Sequence, residues 1–171
     1  MRDIEGLVQD LIQTYHSRDP EELIRCLDIH LYERTDFQQL LGMYMEVEGR
    51  KCIFLKADLE EAERNMILAH ELGHALLHRE EAAMMEIMNM TFFSMTEKPE
   101  YEANVFAAHL LIPAEEVEAL QEEDWDVVTM AKALRVNVSL LLIKLHEMKR
   151  KGYRISLDRL PRADFLGHLP D

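Results

Sequence analysis

Two histidines four residues apart, the first followed directly by a glutamate, constrain the fold of this 171-residue chain more than any other feature: His70-Glu71-Leu72-Gly73-His74. On an α-helix, residues four apart share one face, one turn along. The flanking residues Ile67-Leu68-Ala69 and Ala75-Leu76-Leu77-His78 are apolar or small up to the last. Their spacing predicts a helix from Asp58 to about His78, with Asp58 and Glu61 as a capping box. That helix carries two imidazoles and a carboxylate toward the core, where each is costly unless partnered. Gly73 costs the helix about 1 kcal/mol relative to alanine. Its presence predicts that another element approaches closely there.

The spacing also has a chemical use. His70 and His74 can turn ring nitrogens toward a single ion, and zinc accepts such nitrogens readily. Glu71 lies where it can take a proton from a water that the ion has acidified and pass it to a leaving amine. This is the layout of a zinc peptidase. Manganese or iron suits the same kind of site, so the spacing alone does not fix the metal.

Such a site needs a third protein ligand and one open position. Downstream candidates are Glu86, Glu97, Glu100, Glu102 and His109. On a helix over 99–111, Glu102 shares a stripe with Phe106 and His109, whereas Glu100 points to roughly the opposite side. Glu102 is therefore the expected ligand, with Glu100 in reserve. His109 lies about two turns beyond Glu102, near 10 Å along the axis, and reads as a core-edge or surface histidine. His78, one turn past His74, reads as structural. Tyr101 and His109 are the candidates for stabilising an oxyanion.

The rest of the chain reads as α+β and mostly helical. Ile4, Leu7, Val8, Leu11 and Ile12 follow a helical period up to about Tyr15. Asp19-Pro20 starts a short helix to about Leu27, and an extended piece follows at Ile29–Tyr32. Met43–Val47 and Lys51–Leu55 read as strands of a hairpin turning at Glu48-Gly49-Arg50. Pro99 opens a helix that Pro113 ends, and a second segment starts at Pro113. Beyond it, Ala131, Leu134, Val136, Val138, Leu141, Leu142 and Leu145 fall in a helix-turn-helix-like rhythm. The domain reading is a body over 1–120, with a C-terminal helical subdomain over 121–171 packed on it. The Met-rich stretch 79–98 reads as a connection that packs on the core.

Charge narrows the partners. The net charge is −14, which disfavours nucleic acid as a direct partner. It is unevenly spread: from Lys132 to Arg162, nine basic residues face only Glu147 and Asp158. That basic segment reads as the solvent face of a helical subdomain. No apolar run is long enough to span a bilayer, the N-terminus lacks the pattern of a signal peptide, and the expected compartment is the cytoplasm. Cys26 and Cys52 read as reduced and mostly buried thiols.

The stretch Ile67–His78 resembles the ImmA/IrrE family of metallopeptidases. So does Glu102-Ala103-Asn104-Val105-Phe106-Ala107-Ala108-His109-Leu110-Leu111-Ile112-Pro113. The resemblance covers roughly residues 40–150. It implies a small gluzincin-like domain in which a short antiparallel sheet flanks the active helix. The implied ligands are His70, His74 and Glu102, with Glu71 as general base. It further implies a zinc-dependent endopeptidase that cleaves a helix-turn-helix repressor of the XRE type and so relieves repression, in a mobile element, a prophage or a stress response. The alternative is a non-catalytic anti-repressor or antitoxin-like binding module with a structural metal; a purely structural site would have no use for Glu71.

Overall fold

A computed structural model describes residues 3–78, 98–123 and 125–155. Seven helices and three strands lie within them. Helix α1 spans Ile4–Tyr15 and α2 spans Pro20–Cys26, each started by an aspartate, Asp3 or Asp19, whose side chain accepts backbone N–H groups. Pro20 occupies the first turn of α2, where a missing N–H costs nothing.

Strands β1 (His30–Arg34), β2 (Gly42–Val47) and β3 (Arg50–Lys56) form one sheet in the order β1-β3-β2. The β2–β3 hairpin is antiparallel as expected, pairing Tyr44 with Ile53. Its turn uses Glu48 and Gly49, both at positive φ (51° and 77°), the conformation that matches strand twist. The expected extended piece is β1, which runs parallel to β3 and makes the sheet mixed rather than wholly antiparallel. A parallel neighbour needs a crossover, and the strand order gives it one: the chain passes from β1 to the far edge, β2, before returning through β3.

Helix α3 spans Glu61–Leu77 and lies against the inner face of the sheet. It starts later than expected. Glu60 takes the N-cap position without a side-chain hydrogen bond, and the Asp58 capping box does not form. Helix α4 (Lys98–Leu111) makes the most extensive helix packing in the fold, along α3. Helices α5 (Ala114–Glu122), α6 (Val127–Ala133) and α7 (Val138–Arg150) follow.

The α6–α7 pair has the predicted helix-turn-helix outline. Helix α7, however, buries Leu140 through Leu145 as well as Glu147 and Met148, and it packs along α4. A helix with those residues in the core cannot present them to a DNA groove. The basic residues Lys149, Arg150 and Lys151 cluster at its exposed end.

The core runs continuously from Val8 and Leu11 through Leu23, Ile53, Ile67, Leu72, Phe106 and Leu110 to Leu140 and Ile143. No helix among the described residues is long and apolar enough to cross a membrane. Both cysteines are free; Cys52 is buried, but Cys26 is exposed, contrary to expectation. The Met-rich stretch, with Glu86 and Glu97, lies outside the described residues apart from Lys98.

Candidate metal centre

Helix α3 is buried continuously from Ile67 to Ala75 because the sheet, α2 and α4 surround it. His70, Glu71 and His74 are each under 10% exposed, so their polar atoms must find partners inside the protein. The close approach predicted at Gly73 is with α4. A Cβ there would stand 3.1 Å from Ala103 Cα and 3.2 Å from its carbonyl oxygen.

That approach brings a carboxylate to the histidines. Glu100 Oε2 lies 3.3 Å from His70 Nε2, and Glu100 Oε1 lies 3.2 Å from His74 Nε2. The two Nε2 atoms are 3.0 Å apart. Asn104, one turn after Glu100, accepts a hydrogen bond from His70 Nδ1 at 2.9 Å through Oδ1. This fixes the His70 tautomer and leaves the Nε2 lone pair turned toward Glu100 and His74.

These atoms fit a small dication. In a tetrahedron with bonds of 2.0–2.1 Å, ligand atoms stand about 3.3 Å apart. The two Nε2 atoms stand 3.0 Å apart and each has one Glu100 oxygen at 3.2–3.3 Å, a different oxygen for each ring, and one ligand atom from each residue lies within 4.8 Å of the other two. Two nitrogens and a carboxylate oxygen also form a donor set that zinc accepts. His70, His74 and Glu100 are thus the group among the described residues able to share an ion.

The expected third ligand, Glu102, is elsewhere. Its Oε2 is 3.0 Å from His78 Nε2, with Lys98 Nζ 3.7 Å from its other oxygen. Helix α4 is buried at every position from Glu100 to Leu110, because α3, α1 and α7 all pack on it. With no solvent face along that stretch, sharing a stripe with Phe106 does not select Glu102. The sequence did hold the missed signal. Glu100 and Asn104 are four apart, as His70 and His74 are, so two neighbouring helices can match them turn by turn.

Electrostatics follow the geometry. Burial alone would raise the Glu100 carboxyl, but the adjoining His70 and His74 outweigh it and hold it at about 2. His70 is opposed by its own burial, yet Glu100, Glu71 and Asn104 raise its affinity for a proton. Glu71 behaves differently. Burial dominates and lifts its carboxyl, while His70, His74 and a backbone hydrogen bond from Tyr44 pull it down. Strand β2, at the sheet edge, reaches Glu71 because Gly42 has no side chain. A Cβ there would lie 3.1 Å from Glu71 Oε1 and 2.5 Å from Ile67 Cγ2.

The two oxyanion candidates are directed elsewhere. Tyr101 donates to Glu147 Oε1 on α7 at 2.9 Å, and burial and Glu147 push its phenol up. His109 Nδ1 faces Lys144 Nζ at 3.2 Å.

Comparison with known proteins supplies context for this geometry. Residues 25–146, more than half of the chain, match the family model described as the IrrE N-terminal-like domain, a peptidase family. The match begins within α2 and ends within α7. A protein of Bacillus phage phi105, described as uncharacterized immunity region protein 2, is 37% identical over 111 residues. That alignment covers 64% of this chain and 68% of the phage protein.

Proposed function

The chain belongs to the IrrE N-terminal-like peptidase family, and from that premise we propose that it is a zinc-dependent endopeptidase whose substrate is a helix-turn-helix repressor of the XRE type. The observation that carries the reading is the convergence of His70, His74 and Glu100 with Glu71 buried beside them. The assignment to repressor cleavage is supported by the resemblance to ImmA/IrrE proteins and by a phage relative named for an immunity region.

In this reading His70, His74 and Glu100 hold the ion, and Asn104 keeps the His70 ring in the ligating tautomer. Zinc, when bound, supplies Lewis acidity that acidifies water and polarises the scissile carbonyl. Glu71 accepts the proton from the attacking water and delivers it to the amine that leaves. Its burial favours this task, since a carboxyl with a raised pKa holds the proton more firmly between the two transfers. The Tyr44 amide and the Gly42 gap keep it aligned with β2. The helices from 121 onward complete the same catalytic body, through α7 on α4, rather than adding a DNA-binding module.

The test has two arms. The purified chain should carry about one zinc, which His70→Ala loses and Glu71→Gln keeps. With an XRE-type repressor encoded beside the gene, the wild-type chain should cut at one site. Glu71→Gln should be slower by roughly 10²–10⁴-fold, the usual contribution of general acid–base catalysis. A folded protein that takes up no zinc, or a Glu71→Gln variant that cuts at the wild-type rate, would overturn the reading. A stable equimolar complex without cleavage would favour a binding module instead.

A further inference from the structure

The outward face of the sheet is apolar and, apart from the buried Cys52, its apolar residues lie outside the core that the described residues form. Tyr32, Met43, Met45, Val47 and Phe54 belong neither to the core cluster nor to the residues packed against it. Strand register puts Tyr32, Phe54 and Met43 side by side in one row across all three strands, with His30, Cys52 and Met45 in the next. The rings stack along this surface: His30 to Tyr32 at 6.3 Å, and Tyr32 to Phe54 at 5.3 Å and 21°. Tyr32 is 45% exposed and Val47 39%. The solvent face of a small sheet normally alternates to polar residues, and this one does not.

The charged positions on the same face are all basic: Arg34, Arg50 and Lys56. In a chain with 33 acidic and 19 basic residues, a sheet face whose strand positions carry no carboxylate is a marked local reversal. Arg34 is paired with Asp36 and Lys56 Nζ donates to the Gln38 carbonyl at 3.0 Å, but no carboxylate among the described residues forms an ion pair with Arg50 or Lys56. These two cations stand six residues apart on β3, about 20 Å at the usual strand rise. The apolar rows lie between them.

We infer that this face docks a segment of a partner protein that presents apolar side chains between carboxylates spaced to meet Arg50 and Lys56. Charge complementarity selects this occupant. A second copy of the chain would bring basic ends against basic ends. A nucleic acid would gain stacking on Tyr32 and Phe54, but it would find two uncompensated cations on a body of net charge −14. The surface requires neither the metal ligands nor Glu71, so the inference stands apart from the peptidase reading.

Fluorescence anisotropy on the full zinc-loaded chain tests it with three labelled probes: an octapeptide with valine and phenylalanine at its centre and paired glutamates at each end, its lysine-ended counterpart, and a ten-nucleotide oligothymidylate. The acid-ended peptide should bind at least tenfold tighter than the other two, with a preference that shrinks as salt rises. Arg50→Glu combined with Lys56→Glu should reverse the peptide preference. Tyr32→Ser, a substitution at an exposed site, should weaken both peptides without changing zinc content, and Glu71→Gln should bind as wild type does. Equal binding of the two peptides, no binding, or preference for the oligonucleotide would overturn the inference. So would a concentration-dependent dimer, seen by sedimentation, that Tyr32→Ser abolishes.

Discussion

Glu100 and Glu102 stand two residues apart on α4 and face different histidines, so exchanging each for glutamine separates their roles. Glu100→Gln removes the one anion shared by His70 and His74. Zinc affinity, measured by competition with a chromophoric chelator, should fall by two orders of magnitude or more. Glu102→Gln leaves that cluster whole and should keep affinity within about tenfold. The reverse order would return the third ligand to Glu102. Asn104→Ala should cost roughly 10–100-fold in affinity, the usual effect of losing the group that orients a ligating histidine. His70, Glu71 and His74 were legible because one helix sets their spacing and no tertiary information is needed. The carboxylate that meets the two histidines comes from another helix. The sequence narrowed it to a few carboxylates, but choosing between Glu100 and Glu102 required knowing that α4 is surrounded.

At the scale of elements, the candidate metal cluster depends on how closely two helices and one strand approach. Gly73→Ala gains about 1 kcal/mol in helix propensity. The new Cβ, however, would meet two backbone atoms of Ala103 at 3.1 and 3.2 Å and Phe106 Cβ at 3.3 Å. Backbone yields only if α4 shifts, and overpacking of this kind costs about 1–3 kcal/mol. The net expectation is a loss of about 1 kcal/mol by urea denaturation, with weaker zinc binding because Glu100 moves with α4. A more stable variant with unchanged zinc affinity would mean that the contact is slack. Gly42→Ala acts on the other side, pressing on Ile67 and Glu71. It should keep its zinc and lose kcat, while the affinity of Glu71→Gln/Gly42→Ala for the substrate stays near that of Glu71→Gln alone. The elements themselves were largely readable. Helix α1 begins and ends where its apolar period does, and Asp19-Pro20 announced α2. The late start of α3 and the parallel seating of β1 were not readable, since both depend on partners distant in sequence.

Across the whole molecule, α1 and the link that follows it are tied to α4 and α7 by polar contacts as well as by the buried Val8 and Leu11. Arg18 donates to the last carbonyls of α4, those of His109 and Leu110, at 3.2 and 3.1 Å. Glu5 pairs with Lys151 just beyond α7. Between these ties, Lys144 Nζ and His109 Nδ1 meet at 3.2 Å, both residues under 5% exposed. Burial, aided by the Lys144 charge, depresses His109 to about 4. Burial is also the main reason that Lys144 is held at about 8. The family match begins at residue 25, so α1 and Arg18 lie outside it while holding the helix that carries Glu100. A histidine depressed from its ordinary 6.5 makes the unfolded chain take up the proton first as pH falls. Stability should therefore decline from about pH 6.5 to about pH 4, by about 3 kcal/mol from this group, and its share should then level off. Lys144 gives the same slope at the alkaline end: stability rises between about pH 8 and 10.5, where only the unfolded chain still binds that proton. His109→Asn tests the acid limb, since its side-chain oxygen can still accept from Lys144 but does not titrate. Urea denaturation at pH 7, 6, 5 and 4, with a chelator present so that release of metal does not contribute, should give a flatter profile for the variant than for wild type. Parallel profiles would mean that His109 is not the group through which acid loosens α1 and α7 from α4.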